Sequence, residues 1–321
     1  MAEPWDVIIV GGGAAGLAAA LLLGRARRRV LVCDSGEYRN APSPAMHGFP
    51  TRDGTSPAEF REIARAELSA YPTVQFLAGR AREAGRTEQG FTLSLLPEGK
   101  QQPRDLQARK LLLATGLEDE LPDLPGLREI YGHSAWHCPY CDGFENAGRP
   151  LAVHGAGMEV VRLAKELTGW SRQLTVCTGG ARLTGRERGQ LVALDIGLRE
   201  EPVSGLAREG TQMRGLNFAD GGFLPTDGLF LAMPRRQRSD LAQQLGCGLT
   251  RHGGIRADHH GATSIPGLYV AGDNGAGLQM VLIASAQGSQ AAFAINNELL
   301  REDLATARRQ RAPRQPGLRK A

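Results

Sequence analysis

The chain has 321 residues, 41% hydrophobic and 22% charged. That is apolar enough to bury a sizeable core, and long enough for two ordinary domains. The formal net charge of +4 is concentrated at one end: residues 307–321 carry Arg308, Arg309, Arg311, Arg314, Arg319 and Lys320 and no acid. Taking those six from 38 leaves 32 basic against 34 acidic residues, so the body offers no broad footprint for nucleic acid. Runs such as Leu17 to Leu23 fall far short of the roughly 20 apolar residues that span a bilayer. Five cysteines are too few, and odd in number, for a secreted disulfide scaffold. The N-terminus lacks a basic, cleavable leader, so a reducing cytoplasm is the expected compartment.

Asp6 to Val10 is a short β-branched run bounded by glycine, the pattern of a buried parallel strand. Gly11-Gly12-Gly13-Ala14-Ala15-Gly16 follows, then a helical Leu17 to Leu23, then a second strand Val30 to Cys33 ending in Asp34. Gly11, Gly13 and Gly16 occupy the three glycine positions of a dinucleotide-binding βαβ unit. The first permits a tight turn, the second brings backbone up to a pyrophosphate, and the third lets the helix pack on the strand. The pyrophosphate would rest on the helix start, at Ala14 and Ala15, where unpaired N–H groups favour anions. Asp34, 18 residues after Gly16, is placed to accept from a ribose hydroxyl.

Ser35 to Thr55 is rich in Pro, Gly, Asn and His and has no period, and so long a loop is usually functional. Asn40, His47 and Phe49 are its candidate ligand contacts, with turn stabilisation as the plain alternative. Leu111 to Ala114 reads as a strand ending in Thr115 and Gly116, and Glu118 to Gly126 reads as a linker. Leu151 to Gly155 opens a second strand–glycine–helix unit, with Gly155 and Gly157 in the first two glycine positions. Its third position is Val160, whose branched side chain should crowd the helix against the strand. The paired strand, Leu174 to Cys177, ends in Thr178-Gly179-Gly180, with no acid for a ribose and no immediate arginine for a 2′-phosphate. Only Arg182, Arg186 and Arg188 follow, so NADP(H) binding is doubtful. Ile265 to Gly272 is a further strand ending in Gly272 and Asp273. Leu278 to Asn296 reads as a helix whose Ala286, Gly288 and Ala291 allow close packing. Residues 306–321 read as a frayed, solvated basic tail or a subunit-docking segment.

The chemistry lies in His137-Cys138-Pro139-Tyr140-Cys141-Asp142. Two cysteines separated by two residues can close a small reversible disulfide, and such motifs lower the attacking thiol's pKa. A structural zinc site needs four ligands, and no second cysteine pair exists, so no metal is expected. An inert pair and a glutaredoxin module are the other readings. The second fits poorly, because the motif sits between two dinucleotide units rather than near the start of a small domain. Cys33 and Cys177 are expected to pack as small hydrophobes.

The order Gly11-x-Gly13-x-x-Gly16, Ala114-Thr115-Gly116, Cys138-x-x-Cys141-Asp142, Gly155-x-Gly157 and Ala271-Gly272-Asp273 resembles the low-molecular-weight thioredoxin reductases up to about residue 300. The resemblance implies an α/β fold of two Rossmann-like domains and a homodimer. The FAD domain (1–120 and 250–305) would be split around a smaller NAD(P)H-domain-like insert (121–249) carrying the cysteines. It also implies that Asp273 contacts the ribityl chain and pyrophosphate, with Gln279 and Met280 at the pyrimidine end of the flavin. Cys141 would face the flavin, Cys138 would exchange with substrate, and Asp142 would be the nearby acid–base residue. Val160, Thr178-Gly179-Gly180 and the long loop from Gly36 to Phe49 are similar instead to the dithiol oxidases of natural-product pathways (gliotoxin, holomycin, romidepsin). The Cys-Pro-Tyr-Cys-Asp form looks nearest to the romidepsin type. The implied activity is FAD-dependent oxidation of a small-molecule dithiol, with electrons passing to O2 and protons moved by His137 or Asp142. The rival is a thioredoxin reductase fed by NADPH or ferredoxin.

Overall fold

The glycine-bounded run near the N-terminus forms β1 (Trp5–Val10), followed by α1 (Ala14–Arg25) and β2 (Val30–Asp34). The computed structural model describes residues 3–275 and 277–311. After a turn-rich stretch come α2 (Pro57–Leu68), β3 (Val74–Thr87), β4 (Gly90–Pro97) and β5 (Arg104–Leu113). Next are β6 (Leu117–Asp119), α3 (Leu127–Ile130), β7 (Ala135–Trp136) and α4 (Pro139–Asp142). A second βαβ run follows: β8 (Leu151–His154), α5 (Gly157–Leu167), β9 (Leu174–Cys177), α6 (Gly185–Val192) and β10 (Gly197–Arg199). The meander β11 (Val203–Glu209), β12 (Gln212–Phe218), β13 (Phe223–Pro225) leads to β14 (Gly228–Leu231) and β15 (Arg235–Gln237). The chain closes with α7 (Leu241–Gln244), β16 (Leu268–Val270) and α8 (Val281–Arg311).

Two units emerge. The first comprises Met1–Glu37, Ile63–Gly116 and Gln237–Ala321, and the second Tyr38–Glu62 and Leu117–Arg236. In the first, β1 lies between β2 and β5, all parallel, with β16 parallel on the far side of β5. β3 starts parallel to β2 through Val74–Ala78, then pairs antiparallel with β4, which pairs antiparallel with the start of β5. Both sheet faces are buried, which explains why β1 and β2 are continuously apolar rather than alternating. Val7, Ile9, Val30 and Val32 pack with Ala19, Leu23, Ala291 and Ile295 of α1 and α8. Ile8, Val10, Leu31 and Cys33 pack with Leu93 and Leu95 of β4 and with Leu241, Ala242 and Leu245. The small-residue face of the last helix does what its spacing suggested: a Cβ at Gly288 would lie 2.0 Å from the Ala15 carbonyl oxygen.

The second unit holds a wholly parallel sheet in the order β10-β9-β8-β14-β7 and the separate antiparallel meander β11-β12-β13. Val160 lies fully buried with Val161, Leu163 and Ala164 among Leu151, Val153 and Val176. The equivalent position of the first unit, Gly16, has no such room, since a Cβ there would stand 1.9 Å from the Gly11 carbonyl oxygen. The second turn is therefore the wider of the two, and the branched side chain is accommodated.

Three boundaries differ from the sequence reading. The insert ends at Arg236 rather than 249, because Leu241, Ala242, Leu245 and Cys247 bury into the first unit's core. Tyr38–Glu62 belongs with the second unit, not with the first domain. The last helix continues to Arg311, so 306–311 is its final part rather than a frayed tail. No Pro or Gly interrupts that stretch, and Glu298, Glu302 and Asp303 anchor the preceding turns to Lys110, Arg109 and Arg28. The rest of the predicted tail, including Arg314, Arg319 and Lys320, lies outside the described residues. The predicted strand at 265–272 narrows to β16, and the sequence reading did not anticipate the β3–β4 hairpin.

Candidate functional site

In the first unit, three glycine-bearing exits gather at the C-terminal ends of neighbouring parallel strands, where open α/β sheets bind ligands. Residues 11–16 leave β1, 114–116 leave β5, and 271–273 leave β16. Backbone bonds lock these exits together: the Ala114 N–H donates to the Val10 carbonyl at 2.8 Å, and the Ala271 N–H to the Leu113 carbonyl at 3.1 Å. The fully buried Asn274 adds side-chain bonds to the Leu113 carbonyl at 2.8 Å and the Thr115 hydroxyl at 3.4 Å.

The glycines divide by role. Gly11 has φ +112°, and a Cβ there would stand 2.2 Å from the Ala114 carbonyl oxygen. Around Gly13 nothing lies within 4 Å of such an atom. Gly13 caps α1 without a side-chain hydrogen bond, and the first turn (Ala14, Ala15, Gly16) carries no acid. The helix thus presents free N–H groups over an open glycine, which suits a pyrophosphate. Asp34 stands buried at the end of β2, where Arg65 pairs with it at 2.5 Å. Thr115 and Gly116 follow β5, and Gly272 (φ +86°) leads into Asp273. Gln279 and Met280 lie directly ahead of α8, the Met280 carbonyl accepting its first bond from Ala284 at 2.8 Å. This set fits FAD. The open glycine and uncapped helix would take the pyrophosphate, and Asp34, Thr115 and Asp273 offer polar groups beside it.

In the second unit Cys138 and Cys141 are joined in a disulfide. Cys138 caps the one-turn helix α4, and Pro139 sits at its first position, where a missing N–H costs nothing. The helix rests on Trp170. Tyr140 packs edge-on against that indole at 5.3 Å, and a Cβ at Gly143 would lie 2.9 Å from its ring. Asp142 closes the helix, partly buried, and its carboxyl is pushed up to about 7. Burial is the main cause and the nearby Glu145 carboxylate adds to it, while His47 works the other way. A group poised near neutrality beside a thiol pair is suited to proton transfer.

His137 is bound differently. Arg39 donates to its Nε2 at 3.2 Å, and its Nδ1 is 2.9 Å from the Tyr131 hydroxyl. That hydroxyl donates to Asp119 Oδ2 at 3.0 Å, and Arg39 grips both Asp119 oxygens at 2.8 and 2.6 Å. Burial first, then the Arg39 charge, pushes the ring down to about 4. With both nitrogens engaged and the ring neutral, His137 is a poor carrier for the proton that the sequence assigned to it or to Asp142.

The three loop residues expected to touch ligand, Asn40, His47 and Phe49, lie in the second unit, Phe49 packing on Phe60 at 5.6 Å. Asn40 accepts from Arg61 at 3.5 Å. His47 sits between Asp53 (3.5 Å) and Glu145 (3.6 Å), hence on the flank of the redox helix. Sequence reasoning assigned no role to Asp119, Tyr131, Glu145 and Trp170, nor to Arg39. The only advance signal was Arg39's neighbourhood to Asn40 in a long loop, since 80 residues separate it from Asp119. Cys33 and Cys177 are buried free thiols, each pushed up to about 12 chiefly by burial, as their strand-end positions implied.

Comparison with known proteins agrees with this geometry. The chain is 33% identical over 308 residues to the thioredoxin reductase tcpT of Claviceps purpurea, covering 92% of this chain and 94% of that one. It is 32% identical to the thioredoxin reductase aclD of Aspergillus oryzae, covering 93% and 98%. The crystal structure of HlmI superposes with a TM-score of 0.90 at 38% identity, over 96% of both chains. The pyridine nucleotide-disulphide oxidoreductase family model matches residues 5–288. FAD is the cofactor of the thioredoxin reductase-like members, in accord with the cradle of the first unit. A match of that extent takes in both glycine turns and the cysteine pair, and the chain belongs to the pyridine nucleotide-disulphide oxidoreductase family, as a thioredoxin reductase-like flavoprotein oxidoreductase.

Proposed function

We propose that the protein is a dithiol oxidase, using the Cys138–Cys141 disulfide to close a disulfide in a small-molecule dithiol of natural-product type. The observation that carries this reading is a closed disulfide on a one-turn helix ending in a carboxyl poised near pH 7. A substrate thiolate attacks Cys138 and forms a mixed disulfide, with Cys141 leaving as thiolate. The second substrate thiolate then attacks the substrate sulfur of that bond and releases Cys138. Substrate thus loses two electrons and two protons, and the cysteine pair gains them. Asp142 takes up and returns the protons. Bound FAD supplies the acceptor for the two electrons, with dioxygen, reduced to peroxide, as the final oxidant.

The reverse direction, reduction of a protein disulfide with NADPH, is favoured by the names of the relatives. The second glycine turn supports the oxidase instead. β9 runs into Thr178-Gly179-Gly180, and of the arginines beyond, Arg188 is already paired with Glu200 at 2.5 Å. No helix among the described residues is long and apolar enough to cross a membrane. A cytoplasmic homodimer without nucleic-acid partners belongs to the same proposal.

The test is oxygen uptake by FAD-loaded protein given a reduced small-molecule dithiol in air, with and without NADPH. Uptake that ignores NADPH and falls more than about a hundredfold in Cys138→Ser and in Cys141→Ser supports the oxidase. Turnover only when NADPH and a thioredoxin are both supplied overturns it.

A further inference from the structure

Four side chains from four separate segments meet immediately before the redox helix. Arg39 comes from the excursion 38–62, Asp119 from β6, Tyr131 from the end of α3, and His137 from the residue preceding Cys138. Arg39 and Asp119 are largely buried, at 13% and 7% side-chain exposure. Burial of an ion pair is unfavourable unless its remaining hydrogen-bonding capacity is filled, so these four groups form one satisfied system rather than separate contacts.

The hydrogen-bond directions leave one consistent arrangement. Arginine carries only donors, so His137 Nε2 must accept from Arg39, and the ring proton therefore sits on Nδ1. That N–H donates to the Tyr131 oxygen, whose own proton is directed to Asp119. Asp119 completes the ring by accepting both forks of Arg39. A protonated imidazole would place an N–H against the guanidinium and lose the bond from Arg39.

The geometry points to Arg39, Asp119 and Tyr131 as positioning residues that hold His137 as the neutral Nδ1–H form, fixing the peptide that leads into Cys138 and leaving Asp142 as the titrating acid of the redox helix. The assignment of Asp142 rests on the redox reading above, whereas the state of His137 does not. The charged and titratable groups facing His137 are Arg39, Asp119, Tyr131 and, more remotely, Arg235 of β15. Of these, Asp119 alone favours a charged ring, its Oδ2 being 4.0 Å from Nδ1. Removing the Arg39 cation leaves that carboxylate as the ring's dominant neighbour.

The test is a nitrogen-15 NMR titration of histidine-labelled, FAD-loaded full chain, read alongside the pH dependence of dithiol turnover. In the wild type the His137 ring should stay neutral, with its proton on Nδ1, from pH 8 down to about 5. In Arg39→Gln its proton affinity should rise about tenfold or more, so that it titrates between about pH 5 and 7. The turnover profile should then gain a second ionisation beside that of Asp142. Tyr131→Phe, which keeps the ring stacking but removes the Nδ1 partner, should leave the proton on Nδ1, because Arg39 still requires Nε2 to accept, and should change only the Nδ1 chemical shift as that N–H loses its acceptor. A wild-type His137 that titrates near 6.5, or carries its proton on Nε2, overturns the inference. So does an Arg39→Gln protein whose His137 behaves as in the wild type. If the NMR outcomes hold while no variant or wild type oxidises a dithiol, the network stands and the proposed function fails.

Discussion

Asp142 offers the sharpest test of the electrostatics around the redox pair, and stability reads it without reference to any substrate. Its carboxyl is raised from 3.8 to about 7, by burial first and Glu145 second, whereas in the unfolded chain it titrates near its ordinary value. The folded protein therefore binds this proton more tightly than the unfolded chain. The linked stability is complete below about pH 4, falls as pH rises towards 7, and is level above it. Between pH 5 and pH 8 about two units of that shift are lost, each about 1.4 kcal/mol, for a loss of about 3 kcal/mol. Asp142→Asn cannot ionise and keeps the neutral form at every pH. Urea unfolding of FAD-loaded, oxidised wild type and Asp142→Asn at pH 5 and pH 8 measures the double difference, in which ionisations not coupled to Asp142 cancel. Relative to the wild type, the variant should gain about 3 kcal/mol on going from pH 5 to pH 8. Glu145→Gln should shrink the effect, because it removes the second cause of the raised pKa. A gain below about 0.5 kcal/mol would refute a carboxyl held neutral by its surroundings.

The glycine turn of the first unit predicts a separation of fold from cofactor. Gly13→Ala meets nothing within 4 Å, so the apoprotein should stay within about 1 kcal/mol of wild type while flavin retained after desalting falls at least tenfold. Gly16→Ala would drive a methyl group to 1.9 Å from the Gly11 carbonyl oxygen and should cost about 1–3 kcal/mol as well as the flavin. Full flavin retention by Gly13→Ala would remove the pyrophosphate from that turn. Lys110 is buried, with Glu298 at 2.6 Å and Glu302 at 2.5 Å. Lys110→Met removes the cation shared by two partly exposed carboxylates, of which Glu298 keeps Tyr269 and Glu302 keeps Arg109, and should cost about 1–2 kcal/mol, with faster amide hydrogen exchange in the last turns of α8. Exchange unchanged there would show that the helix end is held by other contacts.

The sequence by itself determined the parts whose geometry is local. Gly11, Gly13 and Gly16 between two apolar strands specify a turn, a helix start and a close helix–strand contact within about 30 residues. Cys138 and Cys141 lie one helical turn apart wherever the chain goes, so their pairing needed no tertiary information. The small-residue face of the last helix likewise announced a close approach, though not its partner. Long-range facts were not encoded in this way. Val160 looked like an obstacle because the motif fixes the residue expected there but not the width of the turn around it. The helix past 306 looked frayed because its anchors, Lys110, Arg109 and Arg28, lie some 190 to 275 residues away. The assignment of Tyr38–Glu62 to the second unit, and the meeting of Arg39 with Asp119, Tyr131 and His137, depend on chain segments that only folding brings side by side. The same holds for the proton chemistry. Sequence names His137 and Asp142 as equals beside the cysteines, but burial and neighbouring charge drive one pKa down to about 4 and the other up to about 7. Those two quantities depend on the whole surroundings of a group and exist only in the tertiary structure.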